Sequence, residues 1–310
     1  MNHVFHFINE GKMDNVKSLF IIKNQKESSM EIIENKTYPL ERDLYHQHDL
    51  KLINCRFEGI EDGESALKEC TNIELDGCFM DLRYPLWHNH HLIINNTEQT
   101  PNCRASLWYS NDIQISNSKF YGIKALRECK DIVIQHTEID SPEFGWKSEN
   151  IYIEDSTMNS QYIFFLVRNL KAKKSTFTGK YGFQYMENVE FDHCHFTTKD
   201  AFWHSKNVTV RNSTIEGEYL GWYSENLTFI NCTIKGIQPL CYCKNLKLLN
   251  CEMIDANLAF EYSTVDAKIV GEIDSIKNPI SGTIEADQIG EVILTKDSLY
   301  ESHAKIVTNR

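Results

Sequence analysis

Apolar positions in this chain alternate over short runs rather than at helical spacing, and the runs repeat as a block. The block begins with Asn or Asp, then an apolar residue, any residue, and a second apolar residue. Its first position falls at Asn150, Asn169, Asn188, Asn207, Asn226 and Asn245, 19 residues apart each time. Toward the N-terminus the register continues through Asp131 and Asp112, then His91, Asn72 and Asp49 at intervals of 21, 19 and 23. Thr264 and Thr283 carry it forward.

Other columns travel with this anchor. Six residues after it, from Cys55 to Cys251, every side chain is small, as at Ser118, Ser156 and Cys194. Eight after it, from Phe57 to Met253, a large apolar residue recurs (as at Met80, Phe120, Phe177 and Ile234), with Gln99 the exception. Five before it stand Leu67, Leu86, Leu107, Leu126, Phe164, Phe183, Phe202 and Leu240, interrupted by Gly145 and Gly221. Two before it the small or sulfur-bearing set returns, as at Cys70, Cys129 and Ser205.

A repeat of this length made of short strands and turns, without the leucine and asparagine signature of leucine-rich repeats, predicts an all-β, right-handed parallel β-helix of about a dozen coils. Each coil stacks on the next at about 4.8 Å, so like residues pile on like. Asn suits the anchor because it tolerates the left-handed conformation and its amide can bond up and down a stack. The expected organisation is an N-terminal extension or cap over 1–29, with a short amphipathic helix over Met13, Val16, Leu19 and Phe20, then the coil over 30–295 and a polar tail over 296–310.

Composition narrows the partners. A hydrophobic fraction of 41% supplies a core, and no apolar run approaches the roughly 18 residues that span a bilayer. The first residues lack a basic segment followed by an apolar stretch and a cleavage site, so a cytoplasmic location is expected. The ten cysteines are then expected as reduced, buried thiols. A net charge of -12 disfavours nucleic acid and, less strongly, acidic polysaccharides.

The runs EDGESALKEC (61–70), RYPLWH (83–88), GIKALREC (122–129) and SPEFGW (141–146) resemble an uncharacterised bacterial family of pectin-lyase-like β-helix proteins. KDAFWHSKNVTV (199–210), GEYLGWYSENLTFINC (217–232), QPLCYCKNLKL (238–248) and SIKNPISG (275–282) extend the resemblance over about residues 30–295. It implies the right-handed pectin-lyase-like fold and brings no activity or catalytic residue with it.

All five tryptophans, Trp87, Trp108, Trp146, Trp203 and Trp222, fall in one column four residues before the anchor, shared with Lys68, Arg127, Phe165, Gln184 and Cys241. The next column holds Tyr109, Tyr185, Tyr223 and Tyr242 with Glu69, His88, Glu128, Lys147, Leu166 and His204. An aromatic strip along the coil is expected, with Trp87, Trp108, Trp146, Trp203, Trp222, Tyr109 and Tyr223 as candidate binding residues for an extended glycan. The bland reading is that these rings only pack coil on coil, which makes the protein a structural or protein-interaction scaffold.

Arg127, Glu128 and Lys147 form the strip's central charged interruption, and they are the candidate catalytic group if the protein is a polysaccharide lyase or glycoside hydrolase. Glu128 and Lys147, on adjacent coils, read first as an ion pair, because a neighbouring glutamate makes a lysine a worse base. His88, His90 and His91 read as solvated histidines rather than metal ligands. Neither a metal nor a cofactor is expected, and neither nucleic acid nor membrane is an expected partner. The sequence sets no oligomeric state.

Overall fold

The structure, a computed structural model, describes residues 29–59 and 63–308; the helix expected over Met13–Phe20 lies outside them. The described residues contain no helix, and strands and turns form a right-handed parallel β-helix of about 14 turns. Each full coil carries a six-residue strand, for example Lys130–Gln135, Glu149–Glu154 and Arg168–Lys173, followed by a short one such as Glu138–Asp140 or Thr157–Asn159. Pairing is parallel and in register: Ile132 sits over Ile113 and under Ile151, and Ile139 over Phe120 and under Met158.

Left-handed backbone makes the corners. Every anchor residue from Asp49 to Asn245 has φ between 53° and 59°. The residue five positions later, such as Asn96, Asn117, Asn212, Asn231 or Asn250, is left-handed too. The anchor amides join across coils, Asn150 Nδ2 donating to Asp131 Oδ1 at 2.8 Å and Asn169 Nδ2 to Asn150 Oδ1 at 3.0 Å. The chain of bonds continues through Asn188, Asn207 and Asn226 to Asn245.

The small column is also a ladder. Ser156 Oγ donates to the Glu154 carbonyl at 2.9 Å and accepts the Thr137 N–H at 3.2 Å, so an inward hydroxyl satisfies backbone that the corner leaves unpaired. All ten cysteines are buried free thiols, and several make the weaker sulfur version of this bond, as Cys78 does to the Leu52 carbonyl.

Stacked apolar columns fill the interior, with a phenylalanine cluster of Phe177, Phe183, Phe191, Phe196 and Phe202 in the middle. Gly145 interrupts the leucine column because the Phe164 ring occupies its side-chain space: a Cβ there would lie 2.3 Å from Phe164 Cδ1. Gln99 stays buried although polar, its amide against the Met80 sulfur.

The coil does not give way to a plain tail at 295. Lys305–Thr308 returns as a strand paired on Thr283–Ala286, adding a last rung where an open sheet edge would otherwise stand. Alternation in KIVT is too brief to stand out among polar neighbours, which is why the sequence reads as a tail there.

Candidate functional site

The aromatic strip exists, and its geometry differs from a row of open ring faces. Trp87 and Trp108 stack on each other at 5.2 Å with their planes 3° apart, and Trp203 and Trp222 do the same at 5.4 Å. Between Trp108 and Trp146 lies the Arg127 guanidinium, 5.1 Å from one ring centre and 5.7 Å from the other. Trp146 continues onto Phe165 at 5.2 Å. Neighbouring coils therefore cover ring faces, and the rings turn their edges outward.

Each indole N–H is spent on the main chain of the following coil. Trp108 Nε1 donates to the Lys124 carbonyl at 2.8 Å, Trp146 to Tyr162 at 2.6 Å, Trp203 to Tyr219 at 2.6 Å and Trp222 to Gln238 at 2.7 Å, while Trp87 bonds the Ala105 carbonyl. A tryptophan at this position thus closes a turn carbonyl that a phenylalanine would leave open. All five are half-buried.

The neighbouring column is the more exposed one. Tyr109, Tyr185 and Tyr223 are 39%, 45% and 47% exposed, and all three have left-handed backbone. Tyr185, His204, Tyr223 and Tyr242 form a continuous stack at 4.8, 5.1 and 4.6 Å, and His88 lies on Tyr109 at 4.9 Å.

Of the three charged candidates, two form an ion pair with each other. Glu128 pairs with Arg127, Nε to Oε1 at 3.4 Å, rather than with Lys147 as expected; clamped between two indoles, Arg127 presents its Nε to the next residue. Lys147 is exposed and makes no ion pair with the described residues. The histidines disperse: His91 meets Asp112 at 2.9 Å, His90 meets Asn111, and His88 stacks. Among the described residues no three His, Cys, Asp or Glu side chains are grouped to hold a metal ion.

Where the strip meets the early coils, it opens into a cleft lined by Tyr84, Trp87, Arg104, Ala105, Trp108, Ile123 and Lys124. Backbone shape creates it. In coils 2 to 5 of the repeat the left-handed residue stands two before the inward leucine, at Ser65, Tyr84, Ala105 and Lys124. From Gly145 on, the inward position itself is left-handed, at Phe164, Phe183, Phe202 and Leu240. Tyr84, Ala105 and Lys124 are thus the turn corners of the early geometry, stacked to make one wall. Sequence columns counted from the anchor missed Tyr84, Arg104 and Lys124. The signal was the 21-residue interval from His91 to Asp112, which lengthens the turn carrying Arg104.

A second, smaller cleft on the outer face of the six-residue strands is lined by Tyr152, Lys171, Lys173, Glu190, Asp192 and Arg211, among others. Some of its polar groups are tied to each other or to neighbours just outside the lining. The Tyr152 hydroxyl and Gln135 Nε2 both donate to Glu154 Oε2 at 3.1 Å, and Lys171 pairs with Glu190 at 3.5 Å. Burial, with the Glu154 charge behind it, pushes the Tyr152 phenol above its ordinary range.

The solved structures to which the chain is similar are distant in sequence. The surface adhesin PfbA of Streptococcus pneumoniae is 9% identical over 86% of this chain and 72% of its own, with a TM-score of 0.35. A tailspike of E. coli bacteriophage HK620, solved with a pentasaccharide, is 8% identical over 89% and 70%, with a TM-score of 0.39. The periplasmic alginate epimerase AlgG is 10% identical over 84% and 77%, with a TM-score of 0.30. No curated protein matches the chain. A family profile matches residues 31–307, nearly the whole coil, and the chain belongs to that family, described as protein of unknown function (DUF3737).

Proposed function

We propose that the protein is a non-catalytic glycan-binding β-helix whose binding centre is the cleft between Tyr84 and Lys124. The observation that carries this reading is that the aromatic strip opens there into a concave site, with the Trp87 and Trp108 edges, the Ile123 side chain and two cationic side chains on one wall system. Tyr109, Tyr223 and the remaining tryptophans extend the surface along which a polymer would lie. In this reading Arg127 stiffens the Trp108 and Trp146 pair rather than moving a proton, and Glu128 and Lys147 flank the path without forming an acid and base couple.

The scaffold reading has its own support in the indole N–H bonds and the covered ring faces, which give every tryptophan a packing task. Titration with a panel of oligosaccharides, followed by calorimetry, separates the two. Binding that Ile123→Asp abolishes without shifting Tm supports the cleft; Ile123 is exposed, so the fold tolerates the change. Absence of binding across the panel leaves the scaffold.

A further inference from the structure

Charge around this cleft departs from the pairing of opposite signs seen at several other coil-to-coil contacts. At those contacts opposite signs meet: Lys130 and Arg168 flank Glu149 at 2.6 and 2.9 Å, Lys199 meets Glu218 at 3.1 Å, and Lys277 meets Glu261 at 2.9 Å. The turn column that includes the cleft starts the same way, with Glu64 paired to Arg83 at 3.7 Å. The next coil then places a second cation, Arg104, above Arg83 instead of a carboxylate. Arg104 is exposed and makes no ion pair with the described residues.

Lys124 follows one coil on. Its partner is Glu143 at 3.6 Å, on the side away from Arg104 and not part of the lining. Such a partly exposed pair is weak, and the lysine can exchange it for another anion. The lining therefore holds two cations and no carboxylate, in a chain whose net charge is -12. Arg104 also stands directly opposite Arg83, and like charges at one register on adjacent coils destabilise each other unless something negative sits beside them. Trp108, with Arg127 behind its ring, supplies an apolar edge beside them.

We infer that this cleft, if it binds glycan as proposed above, selects an acidic sugar residue, its carboxylate or sulfate received between Arg104 and Lys124 while its ring lies against the Trp87 and Trp108 edges. The guanidinium offers a paired N–H fork to either anion, and the ammonium acts as a point charge. The bulk charge that disfavours acidic polysaccharides at a distance is locally reversed here. Selection is therefore a short-range property that survives moderate salt less well than the apolar contact does.

The test uses the full chain and four probes of matched length: a uronate oligosaccharide, a sulfated oligosaccharide, a neutral oligosaccharide and oligoglutamate. The expected result is binding of one or both acidic sugars, weakened by added salt. Arg104→Gln and Lys124→Gln should each reduce it about tenfold with Tm unchanged, and the response to the two acidic sugars identifies the anion. Acidic and neutral sugars bound equally, with both variants indifferent, would overturn the selectivity and leave the glycan reading intact. Oligoglutamate bound as tightly as the acidic sugars would overturn it too, because charge alone would then suffice. No sugar bound at all brings down both.

Discussion

Asn207 Nδ2 donates to Asn188 Oδ1 at 3.0 Å, and Asn207 Oδ1 in turn accepts from Asn226 Nδ2 at 2.9 Å. One side chain therefore links three coils while its own backbone holds a left-handed corner at φ 55°.

Replacing Asn207 by Ala removes two amide bonds and puts a Cβ-bearing residue without Asn's local preference into that corner. The expected loss is about 1–2 kcal/mol, at the lower end of two hydrogen bonds plus the conformational term because the ladder is exposed. Asn207→Gly should lose less, since glycine accepts the corner freely. Asn257, exposed and outside the ladder, should tolerate Ala with little change. Urea midpoints of the three variants check the order.

Gly145→Ala should be among the most damaging single substitutions in the coil. Its Cβ would meet the buried Phe164 ring at 2.3 and 2.5 Å, and φ is +79°. Overpacking together with left-handed strain predicts about 2–4 kcal/mol. Phe164→Leu in the same chain should recover part of that by making room, although it costs packing on its own. A double-mutant cycle measures the recovery, and strictly additive losses would contradict the steric account.

Much of this architecture was legible because parallel stacking turns a local requirement into a column. Asn at 150, 169, 188, 207, 226 and 245 reports the left-handed corner directly, and the Cys and Ser column reports an inward position with room only for a small side chain. The place of the aromatic strip followed from the same register. Its geometry did not, since side-chain torsions decide whether Trp87 and Trp108 offer faces or edges, and nothing in the spacing encodes them. Arg127 showed the same limit: a cation between two tryptophan coils reads as a reactive interruption, and nothing in the spacing encodes that its guanidinium lies between the Trp108 and Trp146 rings. The cleft escaped because its remaining residues fall seven and eight positions before the anchor, Tyr84, Ala105 and Lys124 in one column and Arg104 and Ile123 in the other, where residue types vary too much to announce a common role.

Thiol chemistry should be slow in the folded protein and costly to force. Burial raises the Cys70, Cys78 and Cys194 thiols to about 11 and those of Cys129, Cys241 and Cys243 to about 12. Unfolded thiols ionise near about 8.5. The native state thus holds protons that the unfolded state releases, so the contribution is fully present below about pH 8.5 and is lost as pH rises through 11 to 12. Thermal midpoints should fall steeply above about pH 9, and a disulfide reagent at pH 8 should react rapidly only after unfolding. Several fast thiols in the folded protein would contradict the inward columns.

The last expectation concerns Arg127 as a spacer. Its guanidinium lies 5.1 Å from the Trp108 ring centre and 5.7 Å from that of Trp146, and its Nε meets Glu128 at 3.4 Å. Lysine keeps the charge but not the plane that lies against both indoles, so Arg127→Lys should cost about 0.5–1 kcal/mol. Arg127→Ala also opens a gap between the rings and should cost more, with rising acrylamide quenching of tryptophan fluorescence as the Trp108 and Trp146 faces become accessible. Arg127→Met fills the gap without charge and supplies sulfur that packs well on aromatic rings, so it should recover most of the stability. If the guanidinium served chemistry instead, methionine would abolish activity on a polysaccharide panel while leaving stability and quenching near wild type. Both measurements on the same three variants therefore distinguish a packing cation from a reactive one.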